Sequence, residues 1–137
     1  MKRIAVILDK GLSRGEACNI AAIVVGQLSA TNHDVYSQQS ITDLDGIQHA
    51  GINFSTIVLQ ASSPTQLANF AKKISADCDH VNLVAFSRSG QQLNNQPDQH
   101  RSEISTKRLH EVEPLGLAIF GDDQQVRQLT KRFSVFR

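Results

Sequence analysis

The sequence predicts an α/β fold, a three-layer sandwich with helices on both faces of a small, mostly parallel mixed sheet. Three observations lead to it. Short apolar runs alternate with helical patterns along the chain. The first run, Arg3 to Leu8, reads RIAVIL without polar alternation, as in a strand buried on both faces. Soon after it, Ser13-Arg14-Gly15-Glu16 forms a capping box, in which the Ser13 hydroxyl and the Glu16 carboxylate satisfy each other's backbone N–H groups.

The elements follow in order. Asp9 to Leu12 turns, and a helix runs from the box to about Ser29, with Ala17, Ile20, Ala21, Val24, Val25 and Leu28 at helical spacing. Residues Thr31 to Asn53 are polar and irregular, with a turn at Asp43–Gly46 and a short strand near Val35 to Tyr36. Ser55 to Gln60 is the second strand. Ser63-Pro64 opens the second helix, Gln66 completes another box, and Leu67, Phe70, Ala71 and Ile74 form its buried stripe. Val81 to Phe86 is the third strand. Gly90 to Gln99, rich in Gln and Asn, is the least ordered-looking stretch, followed by a short amphipathic helix around Arg101 to His110. Pro114 ends whatever precedes it. Leu115 to Phe120 is the fourth strand, Val126 and Leu129 face inward from a short helix, and Phe133 to Phe136 closes the chain as strand or tail.

Composition bounds the rest. The 137 residues are 40% hydrophobic and 20% charged, a globular balance that fits one domain. Trp is absent, so the core falls to Ile, Val, Leu and Ala with six Phe. A formal charge of +1 gives no strong nucleic-acid signal, and Arg127, Lys131, Arg132 and Arg137 read as solvated surface. Cys18 and Cys78 do not make a disulfide framework, and Cys18 is expected on the apolar face of the first helix. The run Ile4 to Leu8 is too short for a signal peptide and no stretch suits a membrane span, so the expected compartment is the cytoplasm.

The ending Pro114-Leu115-Gly116-Leu117-Ala118-Ile119-Phe120-Gly121, with Val126 and Leu129-Thr130 after it, resembles the closing strand and helix of type II peptidyl-tRNA hydrolases. More closely, the chain resembles a family of unknown function that shares their fold. The opening from Val6 to Ala22, the element His49 to Ile52, the strand and helix from Val58 to Leu67, and the ending from Gly116 to Arg137 carry that likeness. The hydrolases place a Gly-Lys pair at the start of the first helix and an acidic Asp-Ala-Gly element after a later strand. Here Glu16 follows Gly15, and Phe86-Ser87-Arg88-Ser89-Gly90 has no carboxylate. An anion in place of the cation would repel a tRNA phosphate, so the resemblance implies the fold and not the activity.

Ligands of open α/β sheets bind at the carboxyl ends of the strands. The candidate ligand-binding residues there are Asp9, Lys10, Asn19, Ser87 and Arg88, with His49 from the irregular segment added as an acid/base or contact. Each also has a plain structural role open to it: Asp9 and Lys10 as a solvated turn, Asn19 as a hydrogen bond to a neighbouring loop, His49 as a loop histidine. Ser87 has no identifiable base, and His49 has no evident orienting partner nearby in sequence. Asp77-Cys78-Asp79-His80 lacks the second pair a metal site needs, and Gly11 and Gly15 make neither a phosphate loop nor a dinucleotide fingerprint, so no metal or cofactor is expected. The leading expectation is a domain that binds a small ligand or partner. The alternatives are a hydrolase of an ester or amide bond, peptidyl-tRNA by analogy, and a homodimer built on an exposed Phe133, Val135 and Phe136.

Overall fold

Residues 1–137 are described by a computed structural model. Five strands, β1 (Lys2–Asp9), β2 (Ser55–Ala61), β3 (Asn82–Ser87), β4 (Pro114–Asp122) and β5 (Ser134–Val135), form one sheet in the order β3-β4-β1-β2-β5. Five helices accompany them: α1 (Arg14–Thr31), α2 (Pro64–Asp77), α3 (Arg88–Gln92), α4 (Pro97–Ser105) and α5 (Asp123–Thr130).

The apolar run of β1 has the expected cause. The strand lies between β4 and β2, and both of its faces are covered, so Ile4 to Leu8 are all buried. Ala5 and Ile7 point to a core with α2 and α5, where Leu67, Phe70, Ile74 and Val126 close the layer. Ile4, Val6 and Leu8 point the other way, onto Ala17, Ile20, Val24 and Leu28 of α1 and onto Val35. Burial of each large aliphatic side chain contributes roughly 1.5–3 kcal/mol. Gly116 of β4 lets α1 come close: a Cβ there would lie 2.6 Å from Ile20 Cγ2 and 2.9 Å from Leu8 Cδ2.

The sheet is mixed, but it is not mostly parallel in its pairing. β1 and β2 are parallel, whereas β4 is antiparallel to both β1 and β3, and β5 is antiparallel to β2. The difference lies in where the connections run. The 18 residues of α1 rise about 27 Å and return along the eight residues of β1 at about 3.3 Å each. The segment holding α3 and α4 stays at the end of the sheet where β3 finishes, so that Pro114 registers with Ser87 and β4 runs back from there.

Further corrections concern single residues. Cys18 is exposed, not part of the core, because Ala17, Ile20, Val24 and Leu28 define the inward face and Cys18 is turned about 100° from Ala17. The second capping box is half formed. Ser63 Oγ accepts from the Gln66 N–H, but the Gln66 carboxamide accepts from the N–H and hydroxyl of Ser62. The strand near Val35 reduces to an isolated bridge between Tyr36 and Ile52. The Gly90–Gln99 stretch contains most of α3 and the start of α4, and the helix expected over Arg101 to His110 begins earlier and gives way to a 3₁₀ turn at Leu109–Val112. At the other end of the chain, Phe133 is buried edge-on against Phe70 at 4.9 Å, and Phe136 packs against the α1 core. Of the three side chains on which a homodimer was expected to rest, Val135 alone is exposed. No helix is long and apolar enough to cross a membrane.

Candidate functional site

The carboxyl ends of β1 and β3 and the start of α1 face the segment 88–113. Ser13 caps α1 as expected: its hydroxyl accepts from the Glu16 N–H at 3.2 Å, and Glu16 Oε1 accepts from the Ser13 N–H at 3.3 Å. The box leaves Oε2 free to turn to α3. It accepts from Arg88 Nη1 and from Gln91 Nε2, each at 3.1 Å, while Arg88 Nη1 also donates to Gln91 Oε1 at 2.6 Å. On the other side of the guanidinium, Nε lies 3.6 Å from Glu113 Oε2, an ion pair without a hydrogen bond.

The backbone reinforces this placement. The Arg88 N–H donates to the Glu113 carbonyl at 2.9 Å. Glu113 itself is left-handed, with φ 54° and ψ 79°, directly before Pro114. A non-glycine residue there stores strain of about 1–3 kcal/mol, maintained by the structure on either side. Arg88 is thus fixed from both ends of the segment 88–113.

Glu16 is consequently a permanent anion near neutral pH. The Gln91 side chain, then the Ser13 N–H, then Arg88 lower its pKa from 4.5 to about 2. The pair is at the surface: the Arg88 and Glu16 side chains are 36% and 35% exposed. The repulsion expected from Glu16 is therefore largely neutralised by Arg88.

The remaining expected residues divide into three groups. Asp9 ends β1 and folds toward the turn, so that a Cβ on Gly11 would lie 3.3 Å from its Oδ2. Lys10 is exposed and its N–H donates to the Ala61 carbonyl at 2.9 Å. Neither the Asp9 carboxylate nor the Lys10 ammonium has a side-chain partner. Asn19 is exposed on α1, one turn beyond Glu16, and makes no side-chain hydrogen bond, so the expected bond to a neighbouring loop is not formed. Ser87 is buried and caps α3, its hydroxyl accepting from the Gly90 N–H at 3.1 Å.

His49 is apart from all of these. Its segment, residues 32–54, is anchored at the opposite end of β1, where Lys2 pairs with Asp34 and Arg3 registers with Ser55. Contrary to the sequence reading, His49 has an orienting partner: Nε2 is 2.6 Å from Asp43 Oδ2, and His49 is the main cause of the lowered Asp43 pKa. Asp43 also accepts from the Asp45 and Ile47 N–H groups, so the pair fastens its own loop.

Sequence reasoning missed Gln91 and Glu113, and it read Glu16 as a cap and a repelling anion without its partner Arg88. One signal was available: Glu16 and Arg88 carry opposite charges, and each follows a strand that finishes at the same end of the sheet.

The chain belongs to a family described as protein of unknown function (DUF2000), whose model matches residues 2–137. It is similar in fold to the solved structure of Atu0240, a protein of unknown function from Agrobacterium tumefaciens strain C58, with a TM-score of 0.82. That likeness covers 99% of this chain and 98% of the other at 16% identity. No curated protein matches the chain.

Proposed function

We propose that the chain binds a small polar ligand, without breaking a bond in it, at the carboxyl ends of β1 and β3. Asp9, Lys10 and Arg88 are the contacts, Ser87 holds α3 in place, and Asn19 stands at the rim. His49 belongs to a different part of the molecule and is left out of this site.

The observation that carries the reading is the Glu16–Arg88–Gln91 network. Glu16 stays ionised above about pH 2, so it neither gives nor takes a proton near neutrality. Arg88 keeps an exposed flank for a ligand anion, and the unengaged Asp9 and Lys10 offer both signs of charge nearby. We read the fold as type II peptidyl-tRNA hydrolase-like, with the two charges exchanged: Glu16 stands where the resemblance expects lysine, and Arg88 lies in the element where it expects an acid. We place this activity in the cytoplasm.

A thermal-shift screen of polar metabolites tests the reading. It expects at least one stabilising compound, and loss of the shift in Asp9→Ala and Arg88→Ala. A screen without hits, or hits that both variants retain, removes the assignment. The hydrolytic reading has one observation in its favour, that Ser87 and His100 line a common cleft. Absence of turnover of labelled peptidyl-tRNA at high protein concentration would end it.

A further inference from the structure

The two edges of the sheet are finished differently. On one side the short β5 shields the middle of β2. On the other side β3, Asn82 to Ser87, is the outermost strand along its whole length. Folded proteins guard such an edge with lysine, proline, a bulge or a covering segment, because an open apolar edge pairs with another strand. β3 has no charged residue, no proline and no glycine, and its one irregularity lies at the end, between Phe86 and Ser87.

The phase of the ladder shows what this edge offers. The Asp123 N–H donates to the Met1 carbonyl, and Lys2 registers with Asp122. The odd-numbered residues of β4 therefore turn their backbone groups to β1, and the even-numbered ones to β3. Asn82, Val84 and Phe86 register with Phe120, Ala118 and Gly116 and take up those groups. The N–H and C=O of Leu83 and Ala85 are left pointing outward, and no loop or turn hydrogen bond reaches them.

The edge is complementary to itself. When it pairs antiparallel with a copy about an axis through Val84, each Leu83 lies opposite the other Ala85, and all the outward groups of both strands are satisfied. Sliding the pairing by two residues brings in Val81, whose N–H already serves Cys78, or Ser87 at the irregularity. The flanks agree with this axis. Val84 and Phe86 are half-buried against the α1 layer. Glu16 reaches Arg88 beyond β3, so Ile23, two turns further along α1, stands over the same edge, and it is 37% exposed. From Ala17 to Thr31 α1 carries no charge, so two copies approach across the axis without repulsion. On the α2 face, Asp77 and Asp79 precede β3, while Arg108 adjoins Leu109 beside Ala85 near its far end. None of these three is ion-paired within the chain. Antiparallel pairing sets the start of one β3 beside the end of the other, acid toward base.

We infer that β3 is the contact of a symmetric dimer, in which two five-stranded sheets join edge to edge into one continuous sheet. The outward backbone groups select a strand as the occupant. The uncharged edge, its phase and the acid–base match of its ends select a second copy of this chain. A face of about 27 Å by about 20 Å supplies roughly 500 Å² per protomer, at the lower limit for a specific interface, so the dimer is in exchange with monomer. The inference goes beyond the strand-end ligand site and does not depend on it.

Sedimentation velocity of the full chain between about 5 µM and about 500 µM should show monomer giving way to dimer. Ala85→Pro removes an outward N–H and leaves the ladder to β4 intact, as edge strands tolerate, and it should weaken the dimer by about tenfold or more. Ala85→Lys should act likewise. Val135→Lys, at the opposite edge, should dimerise as the parent does. In the parent, hydrogen exchange at the Leu83 and Ala85 amides should slow as concentration rises. Val84→Cys sets two Cα atoms about 4.5 Å apart on the axis and should cross-link on mild oxidation, where the parent, with Cys18 and Cys78, does not. The inference is overturned if the parent stays monomeric at the highest concentration or exchange at Leu83 and Ala85 ignores concentration. It is overturned equally if the folded Ala85 variants dimerise normally, if Val135→Lys abolishes the dimer, or if Val84→Cys does not cross-link.

Discussion

Residues 32–54 and 88–113 are the two long connections of the fold, both polar in sequence, and they meet the sheet at opposite ends. The first leaves α1 and seals one core with Val35, Tyr36 and Phe54, while Ile41, Leu44, Ile47 and Ile52 stay exposed. Its ion pair, His49 with Asp43, serves its own loop. The second is helical, covers the ends of β1 and β3, and fixes Arg88 against Glu16. A histidine beside a glycine looked like chemistry in the first segment, and a Gln/Asn-rich stretch looked like slack chain in the second. What separates them is which end of the parallel strands each one faces.

Variants can break that contrast. The largest expected effect is Gly90→Ala, which forces Phe86 and His100 apart and costs about 1–3 kcal/mol by overpacking. Denaturant unfolding measures the loss, and hydrogen exchange should locate the loosening in α4. Val35→Ala removes a fully buried anchor of 32–54 at about 2 kcal/mol, whereas Ile104→Asn should lower the unfolding midpoint by less, because Ile104 is 39% exposed and no residue of α4 is fully buried. Equal losses for these two would contradict the account of one segment as seal and the other as cover. Ser13→Ala removes the α1 cap for about 1 kcal/mol, measurable by thermal unfolding.

The smallest effect is in acid. Glu16 has a pKa near 2 when folded against 4.5 ordinarily, so the unfolded chain takes up its proton first as pH falls. The stability due to the Glu16 network is fully present above about pH 4.5 and is lost as pH falls toward 2. Glu16→Gln should flatten the dependence of stability on pH within that window and leave it unaltered above. An identical slope in both proteins would show that Arg88 and Gln91 do not hold the carboxylate in solution.

Legibility in the sequence followed the range of each signal. RIAVIL, the Ser13 box and the stripe of α2 are local, and they placed β1, α1 and α2. The direction of β4 depends on the segment 88–113 staying at the end of the sheet where β3 finishes, which strand–helix alternation does not fix. Cys18 was misplaced because apolar residues lie nearly all around α1, so its inward face is ambiguous until packing selects it. At the strand ends, Asp9, Lys10, Ser87 and Arg88 were named from the order of strands alone, and the structure places them there. The Glu16–Arg88 contact joins residues 72 apart, and no local pattern encodes it.

The last strand has a consequence for how the chain is assembled. β5 pairs with β2 through just two residues, yet Phe133 before it enters the core beneath α2 and Phe136 after it enters the core beneath α1. The tail stitches the two layers together through the edge of the sheet. During synthesis neither layer can be completed until residues 133–136 have left the ribosome, so a nascent chain halted before them exposes two unfinished hydrophobic surfaces at once.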